Sequence, residues 1–205
     1  MSGDWLAARR TEVAADRILD AAGELFATRG VASVGMHEIA EAAGCSRATL
    51  YRYFDNRETL RTAYVNRETH RVHQKMTEQI NGIEDPHDRL IAGITTSLRM
   101  VRQSPALAAW FATSEAPIGA TIAEHSDIVR ALSAAFVVSL RPDDPIVVAR
   151  RARWLVRVIT SLLIFPGDDE ADERAMIEEF VVPIIAPARA VPLESTGAAA
   201  KPAGS

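Results

Sequence analysis

Residues 37 to 60 read HEIAEAAGCSRATLYRYFDNRETL, and this stretch leaves few folds open. Ile39, Ala40 and Ala43 have the i, i+1, i+4 spacing of one helical face. Gly44 ends that helix, because a glycine just past the last periodic residue can take the left-handed conformation without a Cβ clash. Ser46 opens another: its hydroxyl can accept a hydrogen bond from a backbone N–H two or three residues on, which predicts a second helix from Arg47. Two helices joined across Gly44-Cys45-Ser46 form a helix-turn-helix.

The second helix carries Arg47, Thr49, Tyr51, Arg52 and Tyr53 around small or apolar Ala48 and Leu50. An ordinary solvated helix would carry Glu and Lys instead. Arginine offers a two-pronged donor for the O6 and N7 of guanine, Thr49 a hydroxyl or methyl for a base edge, and Tyr51 a hydroxyl suited to a phosphate. Charge agrees locally. The whole chain is mildly acidic at −4, which argues against non-specific coating of nucleic acid. Between Arg47 and Lys75, however, seven Arg or Lys face three acids, a balance of 7 − 3 = +4. That predicts a protein that meets DNA with one end only.

The run Ala43-Gly44-Cys45-Ser46-Arg47-Ala48-Thr49-Leu50-Tyr51-Arg52-Tyr53-Phe54, followed by Arg57-Glu58 and Leu60, resembles the signature of the TetR (tetracycline-repressor) family of bacterial transcription regulators. The Ile39-Ala40 pair before it, and Ile18-Leu19, Ala21-Ala22, Leu25-Phe26 and Gly30 further upstream, match the same pattern. The resemblance implies that Ser46, Arg47, Ala48, Thr49, Tyr51 and Tyr53 face DNA, with Arg57 on a phosphate at the start of the fourth helix. It also implies a homodimer reading a palindromic double-stranded operator, controlled by a small-molecule effector, most often as a repressor. Two positions depart from the family. A hydroxyl pair usually opens the second helix where Val34 and Gly35 stand, so Gly35 caps more weakly and Ser33 could replace the lost hydroxyl. Ala48 stands where glycine is usual and brings a methyl toward the groove.

Elsewhere the chain reads as all-α: an N-terminal helix-turn-helix domain over 1–56, a helical ligand-binding and dimerisation domain over 57–187, and a disordered tail over 188–205. Residues 5–10, ending in Arg9-Arg10, read either as a frayed terminus or as a basic arm. Apolar residues from Thr11 to Arg29 predict a bracing helix closed by Gly30. Asp55 with Glu58 predicts an N-cap and a helix from Asn56 to about Ile80. Helices then follow over about 86–103, after Ser104-Pro105, over about 120–140, from Pro145 through Phe165, and over about 170–185. The tail is Ala, Pro, Gly and Ser with few large apolar residues.

The 205 residues can bury a core without staples, and the single Cys45 has no internal partner. The start Met1-Ser2-Gly3-Asp4-Trp5 has no basic-then-apolar signal pattern, and no apolar run approaches ~20 residues, so a cytoplasmic protein without a membrane partner is expected. No cofactor is expected. His70 and His73 share a helical face without a third ligand nearby, so they read as solvated histidines rather than a metal pair.

Met100, Trp110, Phe111, Phe136 and Trp154 are the large side chains expected near a ligand, against the plainer reading that they fill the core. Arg99, Glu115, His125 and Arg153 could orient a polar group there, or form surface ion pairs. Leu155, Ile159, Leu162, Met176, Ile177, Phe180, Val181 and Ile184 exceed what a terminal hairpin needs and are expected at a dimer interface. Two other readings stay open: an enzyme with a scattered site built from Ser97, His125 or Glu115, and control by a protein partner or by oxidation of Cys45. GxSxG, P-loop, H-E-x-x-H and CxxC patterns are all missing, which weighs against the enzyme.

Overall fold

The computed structural model describes residues 4–112 and 118–186, with side chains from residue 11 onward. All the regular elements among them are helical. In order they are α1 (Asp4–Arg29), α2 (Met36–Ala42), α3 (Arg47–Tyr53), α4 (Arg57–Gln79), α5 (Pro86–Gln103), α6 (Pro105–Ala108), α7 (Ile118–His125), α8 (Asp127–Leu140) and α9 (Pro145–Ile164). The last expected helix is composite: α10 (Glu170–Met176), a π-helical turn (Ile177–Val181) and α11 (Val182–Ile185). Pro183 explains the break, since it has no N–H to give and its ring crowds the carbonyl four residues back, so the turn before it widens.

Several expected boundaries move for local reasons. The backbone of residues 5–10 continues α1 rather than forming an arm or a frayed end. Asn56, not Asp55, caps α4: its Oδ1 accepts from the Thr59 N–H at 2.8 Å. The helix expected over 120–140 is two helices, because Ser126 caps α8 through the Val129 N–H at 3.2 Å. The same buried hydroxyl donates to Asn66 Oδ1 on α4 at 2.9 Å, fixing the α7–α8 corner against that helix. Glu115, Pro117 and the tail from Ala188 lie outside the described residues.

Two apolar cores form along α4. The first joins Ile18, Ala22 and Phe26 of α1 to Ile39, Leu50, Leu60 and Tyr64. Mid-helix Gly23 permits it, since a Cβ there would stand 3.0 Å from the Tyr64 ring. The second gathers Met76, Ile94, Leu98, Phe136, Leu155, Ile177 and Ile185. The expected division at 56/57 coincides with the N-cap of α4, while the first core runs past it to Tyr64 and takes in Trp110 from beyond α6.

One ion pair ties the C-terminal elements together. Arg102 at the end of α5 grips Glu173 of α10 with both arms, at 2.6 and 2.8 Å, and also donates to the Leu162 carbonyl at 2.8 Å. Glu173 is buried and its second acceptor site takes the Gly167 N–H at 3.0 Å. Arg102 hydrogen bonding, then the Gly167 N–H, holds the Glu173 carboxyl below its ordinary value of 4.5 against the opposing effect of burial. A depressed carboxyl contributes stability that is complete above the unfolded value and disappears as pH falls through the folded one. Glu173→Ala leaves a guanidinium without its partner. Full burial would put that near ~3–5 kcal/mol, but Arg102 is partly exposed and can rehydrate, so about 2 kcal/mol is expected, or about 4–8 °C of melting temperature. Glu173→Gln should also flatten the loss of stability below about pH 4.5, which thermal melts between pH 3 and 7 would read.

Candidate nucleic-acid interface and buried cavity

The helix-turn-helix forms as its residues dictate. Gly44 sits at φ 65°, the left-handed conformation that costs other residues a Cβ clash. The Cys45 N–H reaches back to the Ala40 carbonyl at 2.9 Å, closing the turn. Ser46 caps α3, accepting from the Thr49 N–H at 3.1 Å, and its hydroxyl lies 2.9 Å from that of Thr49. Ile39, Ala40, Ala43 and Leu50 are buried beneath, so the opposite side of α3 must face outward. It presents Arg47, Ala48, Tyr51 and Arg52 to solvent, while Thr49 and Tyr53 are half-buried and the Arg52 guanidinium stands 5.5 Å over the Tyr53 ring.

The support beneath this face differs from expectation at Ser33 and at the basic run. Ser33 does not cap α2. Its hydroxyl donates back to the carbonyls of Arg29 and Gly30, closing α1 instead. Glu38 makes good the missing cap by accepting from the Gly35 N–H at 2.9 Å, and its other oxygen pairs with Arg29. Arg57 donates to the Ala32 carbonyl at 3.1 Å and Arg61 to that of Val31, so both clamp the α1–α2 loop. Arg67 and Arg71 pair with Asp20 and Glu68. Much of the local positive balance therefore fastens α4 to α1, and Arg47 and Arg52 are the arginines displayed on α3 itself.

Beyond this face lies an apolar cavity of about 180 Å³, partly open to solvent, lined by α4, α5, α8 and α9 and by Trp110, Phe111 and α7. Of the residues expected near a ligand, Trp110, Phe111 and Phe136 line it; Met100 and Trp154 do not. Trp154 faces an outer groove with Met176 and Phe180, because it is on the opposite side of α9 from Val156 and Ile159. Sequence reasoning missed the contribution of α4, whose Val65, Thr69, Val72, His73 and Met76 form one wall. Their i, i+4, i+7, i+8, i+11 spacing was the available signal. His73 is half-buried there and burial, then the charge of His70, pushes its imidazole below the usual value, so it is neutral at pH 7. His70 is exposed, and no cluster of three metal-ligating side chains occurs among the described residues. Gly93 is required opposite Phe136, since a Cβ would stand 2.5 Å from the ring tip.

The residues proposed for an interface divide. Leu155, Leu162, Ile177 and Val181 are buried in the second core, Ile159 lines the cavity, and Met176 is half-buried. Phe180 and Ile184 are 60% and 50% exposed, and exposed Trp154 lines an outer groove with Phe180, whereas exposed Phe165 lines a hollow beside α7. Of the enzyme reading, Ser97 and His125 line different hollows, and Glu115 lies outside the described residues. Ser97 donates to the Gly93 carbonyl inside the cavity, and His125 is exposed with its Nδ1 at the Thr121 carbonyl. Cys45 is half-buried against the first core. Among the described residues, no helix is long and apolar enough to cross a membrane.

A three-helix reader with an outward Arg-Tyr face, joined by one long helix to a hollow helical body, defines a helix-turn-helix transcription regulator. Residues 18–64 match the family model for bacterial regulatory proteins of the tetR family. Over 187 residues, 91% of this chain and 93% of the other, the sequence is 65% identical to Rv1255c of Mycobacterium tuberculosis H37Rv, an uncharacterized HTH-type transcriptional regulator. The chain belongs to the TetR family. Its fold is shared with the TetR family repressor AlkX of Dietzia sp., implicated in biodegradation of n-alkanes (TM-score 0.62, 21% identity, 82% of this chain and 96% of that one). It is shared also with the regulator FadR of Bacillus subtilis in complex with stearoyl-CoA (TM-score 0.53, 18% identity, 84% and 98%).

Proposed function

We propose that this regulator is a homodimeric repressor that binds a palindromic operator and is released by a small apolar or amphipathic effector held in the cavity. The observation that carries the reading is the course of α4. Its first turns hold Leu60 and Tyr64 in the core beneath the DNA-reading helix, and Val65 through Met76 of the same helix wall the cavity. A ligand that prefers a tilted α4 would therefore move the reader with it, and a preference of ~1–3 kcal/mol is the usual scale of such coupling. AlkX, implicated in biodegradation of n-alkanes, and FadR, in complex with stearoyl-CoA, share the fold, which is consistent with a largely apolar cavity.

The exposed Phe180, Ile184 and Trp154 support a second copy as the partner on that face, with Arg47, Ala48, Thr49, Tyr51 and Tyr53 of each copy on DNA and Ser46 and Arg57 positioning the backbone. A two-fold dimer would set the two readers about one DNA turn, ~34–36 Å, apart. In this reading the protein acts in the cytoplasm, with residues 1–56 reading DNA and 57–187 binding effector and partner. The test is fluorescence anisotropy against the intergenic DNA beside its own gene, at two salt concentrations, with unrelated DNA as competitor. Saturable binding that survives the competitor is the expected result, and binding that the competitor abolishes removes that DNA as the operator. Phe180→Glu should give monomers by analytical ultracentrifugation and lose operator binding; a variant that stays dimeric would move the interface elsewhere.

A further inference from the structure

A second hollow lies between α7 and α9, immediately outside the cavity, and the two share Ala123, Val156 and Thr160 as walls. Its lining is also largely apolar but carries a cluster of arginines at the rim. Arg130, Arg153 and Arg157 line it. Arg157 donates to Glu124 at 2.7 Å, and Arg130 pairs with Asp127 and reaches the His125 carbonyl at 3.3 Å. Arg153 has no ion pair or hydrogen bond to a described residue, although its charge also acts on Glu124, so among the described residues three guanidinium groups stand against two carboxylates. The arrangement follows from the helix period. Arg153 and Arg157, four residues apart, form one row of α9; Val156 and Thr160, also four apart, form the adjacent row that turns inward. A molecule lying across Val156 and Thr160 would have one end among Ile94, Phe136 and Leu155 and the other beside a guanidinium in excess.

The volume of the cavity suits a short apolar end. A cavity of about 180 Å³ is close to the ~150 Å³ apolar cavity that accommodates a benzene ring, which corresponds to a chain or ring on the order of six to eight carbons. From these two compartments we infer that the effector is an anionic amphiphile: an apolar chain or ring of that size in the cavity, with a carboxylate or phosphate-bearing head held by Arg153 and Arg157. Guanidinium suits either head, because its forked donors match both carboxylate and phosphate oxygens. The inference rests on the proposed role of the cavity as the effector site.

The test is isothermal titration calorimetry of the full chain at fixed ionic strength with octanoate, octanoyl-CoA and 1-octanol. The parent protein, the double variant Arg153→Ala/Arg157→Ala and the cavity-filling Ile159→Trp are compared, each checked for folding by circular dichroism, with Ser97→Leu as a second and smaller filling. At least one of the two anions should bind ten-fold or more tighter than 1-octanol. The arginine variant should erase that advantage, and the filled variants should weaken all three probes. The tighter of the two anions tells carboxylate from phosphate-bearing head. Equal binding of 1-octanol and the anions, blocked by Ile159→Trp, would overturn the anionic head and leave the cavity as effector site. Anion binding that the filled variants do not disturb would overturn both, as would no binding by any probe.

Discussion

Truncating Trp110 to alanine is expected to lower the melting temperature by about 6–20 °C, the consequence of a loss of ~3–5 kcal/mol when a buried tryptophan leaves a hole. Trp110 is 3% exposed and belongs to the first core although it lies beyond α6, forty-six residues after Tyr64 (110 − 64 = 46). Its ring stacks on Tyr64 at 5.6 Å and meets Phe26 edge-on at 5.3 Å, while Phe26 and Tyr64 meet edge-on at 5.2 Å. Such aromatic pairs add to burial, so removing Trp110 affects α1 and α4 together. The substitution Trp110→Phe separates ring from polar handle. The indole Nε1 is buried with no hydrogen-bond partner among the described residues, and a donor left in that state costs ~1–3 kcal/mol. Phenylalanine keeps an aromatic ring against Phe26 and Tyr64 and removes the donor, so it should melt within about 4 °C of the parent. Calorimetric melts of the two variants decide the matter: equal losses would mean that ring contacts are not what Trp110 contributes. Tyr64 itself stays neutral through the physiological range, because burial first and the Glu68 charge second push its hydroxyl up to about 12.

Trp110 also shows where the sequence was readable and where it was not. The punctuation along the chain was plain: Gly30 and Gly44 take positive φ where helices were expected to end, and Pro86, Pro105 and Pro145 open helices. Neighbouring cap-forming residues were harder, since Asp55 and Asn56 can both accept from a free N–H and the backbone geometry selects Asn56. Ser126 lies in the polar run Glu124-His125-Ser126-Asp127, which also suits one exposed helical turn, and its cap on Val129 and its bond to Asn66 of α4 show why the helix breaks there. Contacts between distant residues carry no local signature. Arg102 and Glu173, seventy-one apart, gave no sign of each other. For the cavity, residue type pointed to Trp110, Phe111 and Phe136 but not to direction, so Met100 and Trp154 were included although α5 and α9 turn them elsewhere. Val65, Val72 and Met76 were missed although they stand at helical spacing on one side of α4.

Replacing Arg47 with alanine should have the largest effect on operator binding while leaving the fold intact. Arg47 is exposed at the first position of α3, with no ion pair or hydrogen bond to a described residue, so its loss disturbs neither Leu50 beneath nor the Ser46 cap. A well-placed bidentate base contact gives ~1–3 kcal/mol of discrimination. In the proposed two-fold dimer both half-sites lose it together, so affinity should fall by about 30-fold to 10⁴-fold. Arg57→Ala provides the contrast. Its guanidinium already holds the Ala32 carbonyl, so its further contact would be with a phosphate, which carries no sequence information. That variant should weaken operator and unrelated DNA alike and reduce the slope of log affinity against log salt by about one per half-site, whereas Arg47→Ala should lose operator preference in excess of its loss on unrelated DNA. Anisotropy titrations over a salt series on both DNAs separate the two. Should Arg47→Ala bind the operator as the parent does, the reading face would have to turn toward Tyr51 and Arg52, since those are the remaining exposed polar side chains of α3.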